Sequence, residues 1–488
     1  MNKPLRHVAL VGFVMFALLF GSTSWIQYFQ AENLREHELN NRTLIEELSR
    51  ERGPILVDGT PIAYSVPVDD VYEFQRTYGA DGMSPEMYAN ITGFFSVTNG
   101  ATNLEKTENS LLAGTDDALF YDKITNWLTG RQPMGAAIEI TVDPAAQKAA
   151  WDALGGQKGA AVALDPKTGD VLAMVSTPGW DPNALATHDH SAAQDAYDRL
   201  IADEDNPAYN RAIGGNLYPP GSTFKIVTAA AALESGEYEP DTMLDGPAEL
   251  DLPQTTATIR NSGGGACGSG TISLADSLRI SCNTSFADLG MTLGQDAMET
   301  QAREFGFGED MEIPLRVSAS SFPADTNPPQ LAQSALGQFE VRSTPLQMAM
   351  VSAAIANDGK LMHPQLIDQV RNARTLDLIE EPSPREFSRP VSGETAQELT
   401  DMMVSVVTDG TGSAGQIPGI DVAAKTGTAQ HAEGAAPHAW YTSFAPADDP
   451  QVAVAVVVES GGRAGSEAYG GSTAGPIAKA VMEAVIKE

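Results

Sequence analysis

The chain has 488 residues, 42 % of them apolar, which allows two or three domains with sizeable cores and excludes a disordered chain, a collagen or a coiled-coil rod. Thirty basic residues against 64 acidic ones give a net charge of −34, a sign that repels phosphate backbones and argues against a nucleic-acid binder. Two cysteines exclude a disulfide-dense mini-scaffold and a four-cysteine zinc site, and the seven histidines show no metal-ligand spacing.

Lys3 and Arg6 are the only firm charges before an uninterrupted apolar run, Val8 to Phe20. No charged residue follows until Glu32, and Trp25, Tyr28 and Phe29 close the stretch. Counted through Ile26 it reaches the roughly 20 residues that cross a bilayer. The cations would then stay in the cytoplasm and the aromatics would mark the outer interface. A cleaved leader is the competing reading; the absence of an Ala-x-Ala signature favours a single-pass anchor over residues 1–30. Either reading puts residue 31 onward outside the cytoplasm.

Residues 31–50 are charged and helix-prone, with Leu34, Leu44, Ile45 and Leu48 as a sparse stripe. Gly53-Pro54 breaks this pattern, and Asp58-Gly59 signals a hairpin. Residues 64–140 read as short helices and loops, so 31–140 is expected to be a non-catalytic pedestal for partner contacts. A strand ends at Ile140-Thr141-Val142-Asp143 and a helix starts at Pro144. Ala160–Leu164 and Val171–Val175 are strands around the Asp165–Asp170 turn, and Val452–Glu459 is a β-branched strand. Helices are expected over Thr223–Leu233, Leu346–Ala356 and Ala474–Ile486. The segments 186–206 and 430–437 read as loops. Strands and helices interleave, with a meander near the C-terminus, which indicates an α+β or α/β sheet covered by helices.

Three motifs carry chemistry. Ser222-Thr223-Phe224-Lys225 opens a helix after Pro219-Pro220-Gly221. The helix start favours negative charge near Ser222, and Lys225 lies on the same face. A serine needs a base, and a lysine becomes one only by desolvation or beside a second cation. Ser281-Cys282-Asn283 offers a hydroxyl that relays a proton and a carboxamide that bonds a peptide amide. Lys425-Thr426-Gly427-Thr428 reads as a strand. Its lysine supplies the second cation, its glycine admits another backbone closely, and its threonines suit a carboxylate. Singly, each motif is equally a surface helix, a loop or a sheet edge.

Together and in this order the three resemble the signature of penicillin-binding proteins and class A β-lactamases. The flanks Asn210-Arg211-Ala212, Asp165–Pro178, Leu336-Gly337-Gln338, Thr344–Ala349 and Trp440–Pro446 extend the likeness from about residue 141 to the end. Upstream, the single anchor, the Arg52–Gly59 stretch and Leu104–Asn109 are most similar to the small actinobacterial class B penicillin-binding proteins. The resemblance implies an α+β transpeptidase domain at 141–488, with a central antiparallel sheet flanked by helices plus an all-helical lobe. It implies a serine D-Ala-D-Ala transpeptidase that cross-links peptidoglycan stem peptides and is acylated by β-lactams.

By that resemblance Ser222 is the nucleophile, Lys225 the acylation base, and Ser281 and Lys425 the proton shuttle. The backbone N–H groups of Ser222 and Thr428 form the oxyanion hole. Asn283 holds the substrate amide, and Thr426, Gly427 and Thr428 form the carboxylate-binding strand. No metal or organic cofactor is required, and a SEDS-type glycan polymerase is an expected partner. D,D-Carboxypeptidation and a β-lactam-binding sensor or division scaffold are the alternatives; a sensor would need an output domain, and only about seven residues precede the apolar run. Outside the cytoplasm two thiols do not persist unpaired, so Cys267 and Cys282 are expected to form a disulfide. Glu36-His37-Glu38-Leu39-Asn40 matches the deacylating motif of class A β-lactamases but lies far upstream of its place there. No such motif follows Asn283, so the acyl-enzyme should hydrolyse slowly. His431 and His438 read as loop histidines, and Trp440-Tyr441 as core and cleft wall.

Overall fold

The computed structural model describes residues 3–29, 48–119, 134–215, 217–431 and 434–486. The expected helix over 31–50 and the Glu36–Asn40 segment lie almost wholly outside these residues. A helix, Lys3–Ser24, continues as a π-helical turn, Trp25–Phe29. Its 22 residues span about 33 Å at 1.5 Å per residue, enough for a bilayer core. Residues Arg6–Ser24 have mean hydropathy 1.8 and bury nothing against the rest of the chain. A helix of this length and composition is able to cross a membrane.

The pedestal carries the expected short helices, Pro85–Thr92, Asn103–Thr107 and Asn109–Leu112, beside a six-stranded sheet that goes beyond the expected hairpin. Ile55–Val57 and Thr60–Pro67 form a hairpin across Asp58-Gly59, where both φ angles are positive. Phe74–Tyr78 adds to one side; Ala136–Ile140 runs parallel to Ile55–Val57 on the other. The sheet is completed from the other half of the chain by Ile367–Asn372 and Leu378–Glu380. Short, partly exposed strands such as Phe74–Tyr78 carry too little alternation to be read in isolation.

Below this sheet lies a buried ion cluster. Glu105 is fully buried and takes the Arg52 guanidinium at 2.8 Å and the Arg76 Nε at 2.6 Å. Arg52 also donates to Asn109 Oδ1 at 2.7 Å and lies 3.9 Å from the centre of the Phe95 ring. The two guanidinium groups hold the Glu105 carboxyl below its ordinary range despite the opposing effect of burial, which is the largest single influence. The Arg52–Gly59 and Leu104–Asn109 stretches thus meet at one charge cluster.

The catalytic sheet has five antiparallel strands, in the order Ala423–Ala429, His438–Ala445, Val452–Val458, Gly159–Leu164, Val171–Thr177. Every residue of Val452–Val458 is buried. Val452, Val454 and Val456 share a core with Ala146, Ala150, Ala478 and Val481, on the helices Pro144–Leu154 and Gly475–Ile486. Ala453, Ala455 and Val457 face the opposite core, against the helix Pro345–Ala356. The period of two along the strand assigns the faces, and a centre covered on both sides is apolar throughout. A helical lobe packs around Lys225–Glu234, with Asn283–Leu293, Gln295–Glu304 and Gly393–Thr408 as neighbours. The segment read as a loop at 186–206 contains a helix, His190–Ala202. Asp189 caps it, and Ala193, Tyr197 and Leu200 anchor it, the last two against the Phe94–Trp180 cluster.

Candidate active site

Ser222 sits in a 3-10 turn, Gly221–Phe224, that runs straight into the helix Lys225–Glu234. The turn is fixed from three sides. Tyr218 pairs with Ser343 through both backbone bonds, at 3.0 and 2.8 Å. The Trp440 indole donates to the Pro219 carbonyl at 3.1 Å. The Gly337 carbonyl receives the Gly221 N–H at 2.9 Å. A Cβ at Gly337 would lie 2.3 Å from the Gly221 oxygen, and φ there is +68°, so only glycine lets the Leu336–Gln338 loop press so closely on the nucleophile turn.

The Lys-Thr-Gly strand is the edge of the catalytic sheet and runs beside this turn. A Cβ on Gly427 would meet the Pro220 carbonyl and the Trp440 Cβ, each at 2.9 Å. The absent side chain therefore lets the strand that carries Lys425, Thr426 and Thr428 pack against the nucleophile turn. Ser281 closes the other side. It occupies the left-handed region, φ 61° and ψ 45°, in the break between the helices Leu274–Ile280 and Asn283–Leu293. That break turns its hydroxyl toward Lys225.

The Lys225 ammonium nitrogen donates to the Ser281 carbonyl at 2.8 Å, to Ser281 Oγ at 3.2 Å and to Asn283 Oδ1 at 2.8 Å. Lys425 donates to the Thr426 carbonyl at 3.1 Å. Both lysines are fully buried. Desolvation pushes Lys425 down to about 7. Desolvation first, and the neighbouring charge of Lys425 second, hold Lys225 well below its ordinary value.

Ser222, Ser281, Asn283, Thr426 and Thr428 line one cleft of about 900 Å³. Some expectations need correction. Among the described residues no hydrogen bond to Ser222 Oγ is formed; the Lys225 amine is engaged by Ser281 and Asn283. The Asn283 carboxamide is also engaged, its Nδ2 donating to the Arg260 carbonyl at 3.0 Å, so at most one of its N–H groups is left for a substrate. His438 is not a loop residue: it is buried in the strand His438–Ala445 and stacks on His431 at 4.0 Å. Burial and His431 depress it to about 4. Trp440 and Tyr441 are wholly buried core and do not line this cleft. Cys267 and Cys282 form the expected disulfide.

Other lining residues escaped sequence reasoning. Thr411 Oγ1 lies 2.7 Å from Thr426 Oγ1, and the Gly470 N–H approaches Thr428 Oγ1 at 3.5 Å. Asn261 and Arg260 come from a hairpin outside every motif. Their only local signals are Gly- and Asn-rich turns, which occur in loops of every kind.

Comparison with known proteins agrees with this geometry. Residues 159–483 match the penicillin binding protein transpeptidase domain, and 52–138 match the penicillin binding protein A dimerisation domain. The chain belongs to the class B penicillin-binding proteins. Within that class it is 43 % identical to the peptidoglycan D,D-transpeptidase PbpA of Mycolicibacterium smegmatis over the full length of both chains. It is 40 % identical to the PbpA of Mycobacterium tuberculosis, covering all of this chain and 99 % of that one. Its fold superposes on penicillin-binding protein A from M. tuberculosis, in a ceftriaxone acyl-enzyme complex, with a TM-score of 0.86 over 91 % of this chain and 100 % of that one.

Proposed function

We propose that the chain is a membrane-anchored peptidoglycan D,D-transpeptidase that works through an acyl-enzyme on Ser222. One observation carries the reading: two fully buried lysines with depressed proton affinity are bonded to residues that line the cleft with Ser222, Lys225 to Ser281 and Asn283 and Lys425 to Thr426. A serine hydroxyl is activated by a neutral base near its operating pH, and burial beside a second cation is the physical means of keeping a lysine neutral.

In the proposed cycle Ser222 Oγ attacks the carbonyl carbon between the two terminal D-alanines of a stem peptide. Its proton passes to Lys225. Backbone N–H groups of Ser222 and Thr428 hold the oxyanion, each donor contributing about 3 kcal/mol. Ser281 and Lys425 relay that proton from Lys225 to the departing nitrogen, the C–N bond breaks, and D-alanine leaves an ester on Ser222 with Lys225 neutral again. An amine of a neighbouring stem attacks that ester, loses a proton to Lys225 and forms the cross-link as the Ser222 hydroxyl is restored. Thr426 and Thr428 take the substrate's terminal carboxylate, with the Thr411 hydroxyl orienting Thr426. Asn283 holds Lys225 through Oδ1 and turns its remaining N–H to the substrate amide. β-Lactams acylate Ser222 as mimics of the same dipeptide.

Lys3 and Arg6 keep the N-terminus in the cytoplasm, so the catalytic domain faces the wall. The pedestal serves partner contacts, with a SEDS-type polymerase as the partner that family resemblance supports. A penicillin adduct found by mass spectrometry on the peptide containing Ser222 tests the site. Product analysis with a stem-peptide donor and an amine acceptor tests the reaction. If water alone accepts the acyl group, the enzyme is a carboxypeptidase. Normal cross-linking in cells carrying Ser222→Ala would make it a scaffold.

A further inference from the structure

The helix that carries Asn283 lacks a cap of its own. Cys282 occupies the N-cap position without a side-chain capping bond, because its sulfur is committed to Cys267. The first N–H groups of a helix need acceptors, above all where the end is buried. Asn261, twenty-two residues upstream, provides them. Its Oδ1 accepts from the Asn283 N–H at 2.9 Å and the Thr284 N–H at 3.0 Å. Its Nδ2 donates to the Pro247 carbonyl at 2.9 Å and the Gly265 carbonyl at 3.0 Å. One carboxamide is thereby used on both sides and cannot rotate without breaking bonds.

The preceding residue completes the arrangement. The Arg260 carbonyl receives Asn283 Nδ2 at 3.0 Å, which turns Asn283 Oδ1 toward the Lys225 nitrogen 2.8 Å away. The hairpin at 260–261 therefore holds Asn283 by backbone and side chain at once. The loop behind it is tied to the same helix start by the disulfide.

We propose that Asn261 is a positioning residue for acyl transfer, acting through Asn283 to hold the Lys225 amine at the nucleophile. It touches neither the ester nor the substrate carbonyl in this scheme. The inference rests on Lys225 serving Ser222, as proposed above. Sub-ångström displacement of a catalytic group costs rate rather than affinity, on the order of a hundredfold per ångström.

The test is the saturating acylation rate of the full-length, detergent-solubilised protein with a fluorescent penicillin, together with the apparent Kd of the pre-acylation complex. Asn261→Ala is expected to lower the rate constant by about ten- to a hundredfold and to leave that Kd within twofold. The discriminating measurement is a double-mutant cycle with Asn283→Ala, since residues acting through one another are non-additive. In the Asn283→Ala background the Asn261 substitution should cost less than threefold. Equal losses in both backgrounds, or a wild-type rate for Asn261→Ala, would overturn the proposal. Should Asn261→Ala not fold, Asn261→Ser keeps a shorter acceptor and enters the same cycle, where a smaller loss in the Asn283→Ala background supports the proposal and an equal loss overturns it. A wild-type protein that takes no adduct at Ser222 would instead remove the functional reading on which the inference stands.

Discussion

Burying Lys425 should destabilise the protein, and its removal should therefore stabilise a dead enzyme. The side chain is fully buried and titrates at about 7 in the folded state, against 10.5 when free. Between those values the unfolded chain binds more protons than the folded one, so stability rises with pH across that window. At pH 7 the gap corresponds to a penalty of about 4 kcal/mol, good to roughly 1.4 kcal/mol for each pKa unit of error. Lys425→Met keeps the buried stem and deletes the amine. It should unfold at higher urea than wild type at pH 7, by about 2–4 kcal/mol allowing for imperfect packing, and should form no penicillin adduct. The difference should shrink as pH rises toward 10. Urea unfolding of the solubilised protein at pH 6, 7, 8, 9 and 10, with both chains side by side, reads this directly and subtracts the titration of every other group. A Lys425→Met protein less stable than wild type at pH 7, or a gap that does not change with pH, would refute the claim that burial keeps this amine neutral.

Wild-type acylation should decline in acid as the Lys225 base, held well below the ordinary lysine range by burial and by Lys425, takes up its proton; a stopped-flow pH profile with penicillin measures the acid limb. Glu105→Gln leaves two buried guanidinium groups short of a counter-charge and should cost about 3–5 kcal/mol by chemical denaturation, without altering acylation per folded molecule. Gly427→Ala pushes a methyl into the Pro220 carbonyl and the Trp440 Cβ, 2.9 Å away. It should cost about 1–3 kcal/mol and slow penicillin acylation more than tenfold, since the displaced atoms hold the nucleophile turn. Replacing both cysteines by serine opens a loop with a sequence separation of 15 and should lower stability by about 3 kcal/mol in the chain-entropy view, seen as a lower urea midpoint.

The catalytic core was legible because its strands are locally complete. Val452–Val458 is a run of Val and Ala that only a doubly covered strand accommodates, and the three motifs name residue types with few joint uses. Of the pedestal, the Asp58-Gly59 hairpin and the short helices were legible and the rest of the sheet was not, because Phe74–Tyr78 is half-exposed and the far side of the sheet is supplied by strands near 370. Helix His190–Ala202 was missed because its sequence is polar; its anchoring depends on Phe94 and Trp180, nearly a hundred residues upstream in the first case. The engagement of Lys225 by Ser281 was hidden for a similar reason. It depends on a left-handed serine between two helices, a conformation that no local propensity specifies.

Charge, the apolar N-terminal run and the ordered motifs determine by themselves an N-terminal segment able to cross a membrane and a serine, two lysines and a carboxamide available for acyl transfer, since these follow from residue type and short-range spacing. The tertiary structure alone decides how the two amines are desolvated against one another, that Asn261 caps the Asn283 helix, and that Glu105 neutralises two arginines. Those are properties of the environment around a side chain, and a sequence read locally contains the side chain without its surroundings.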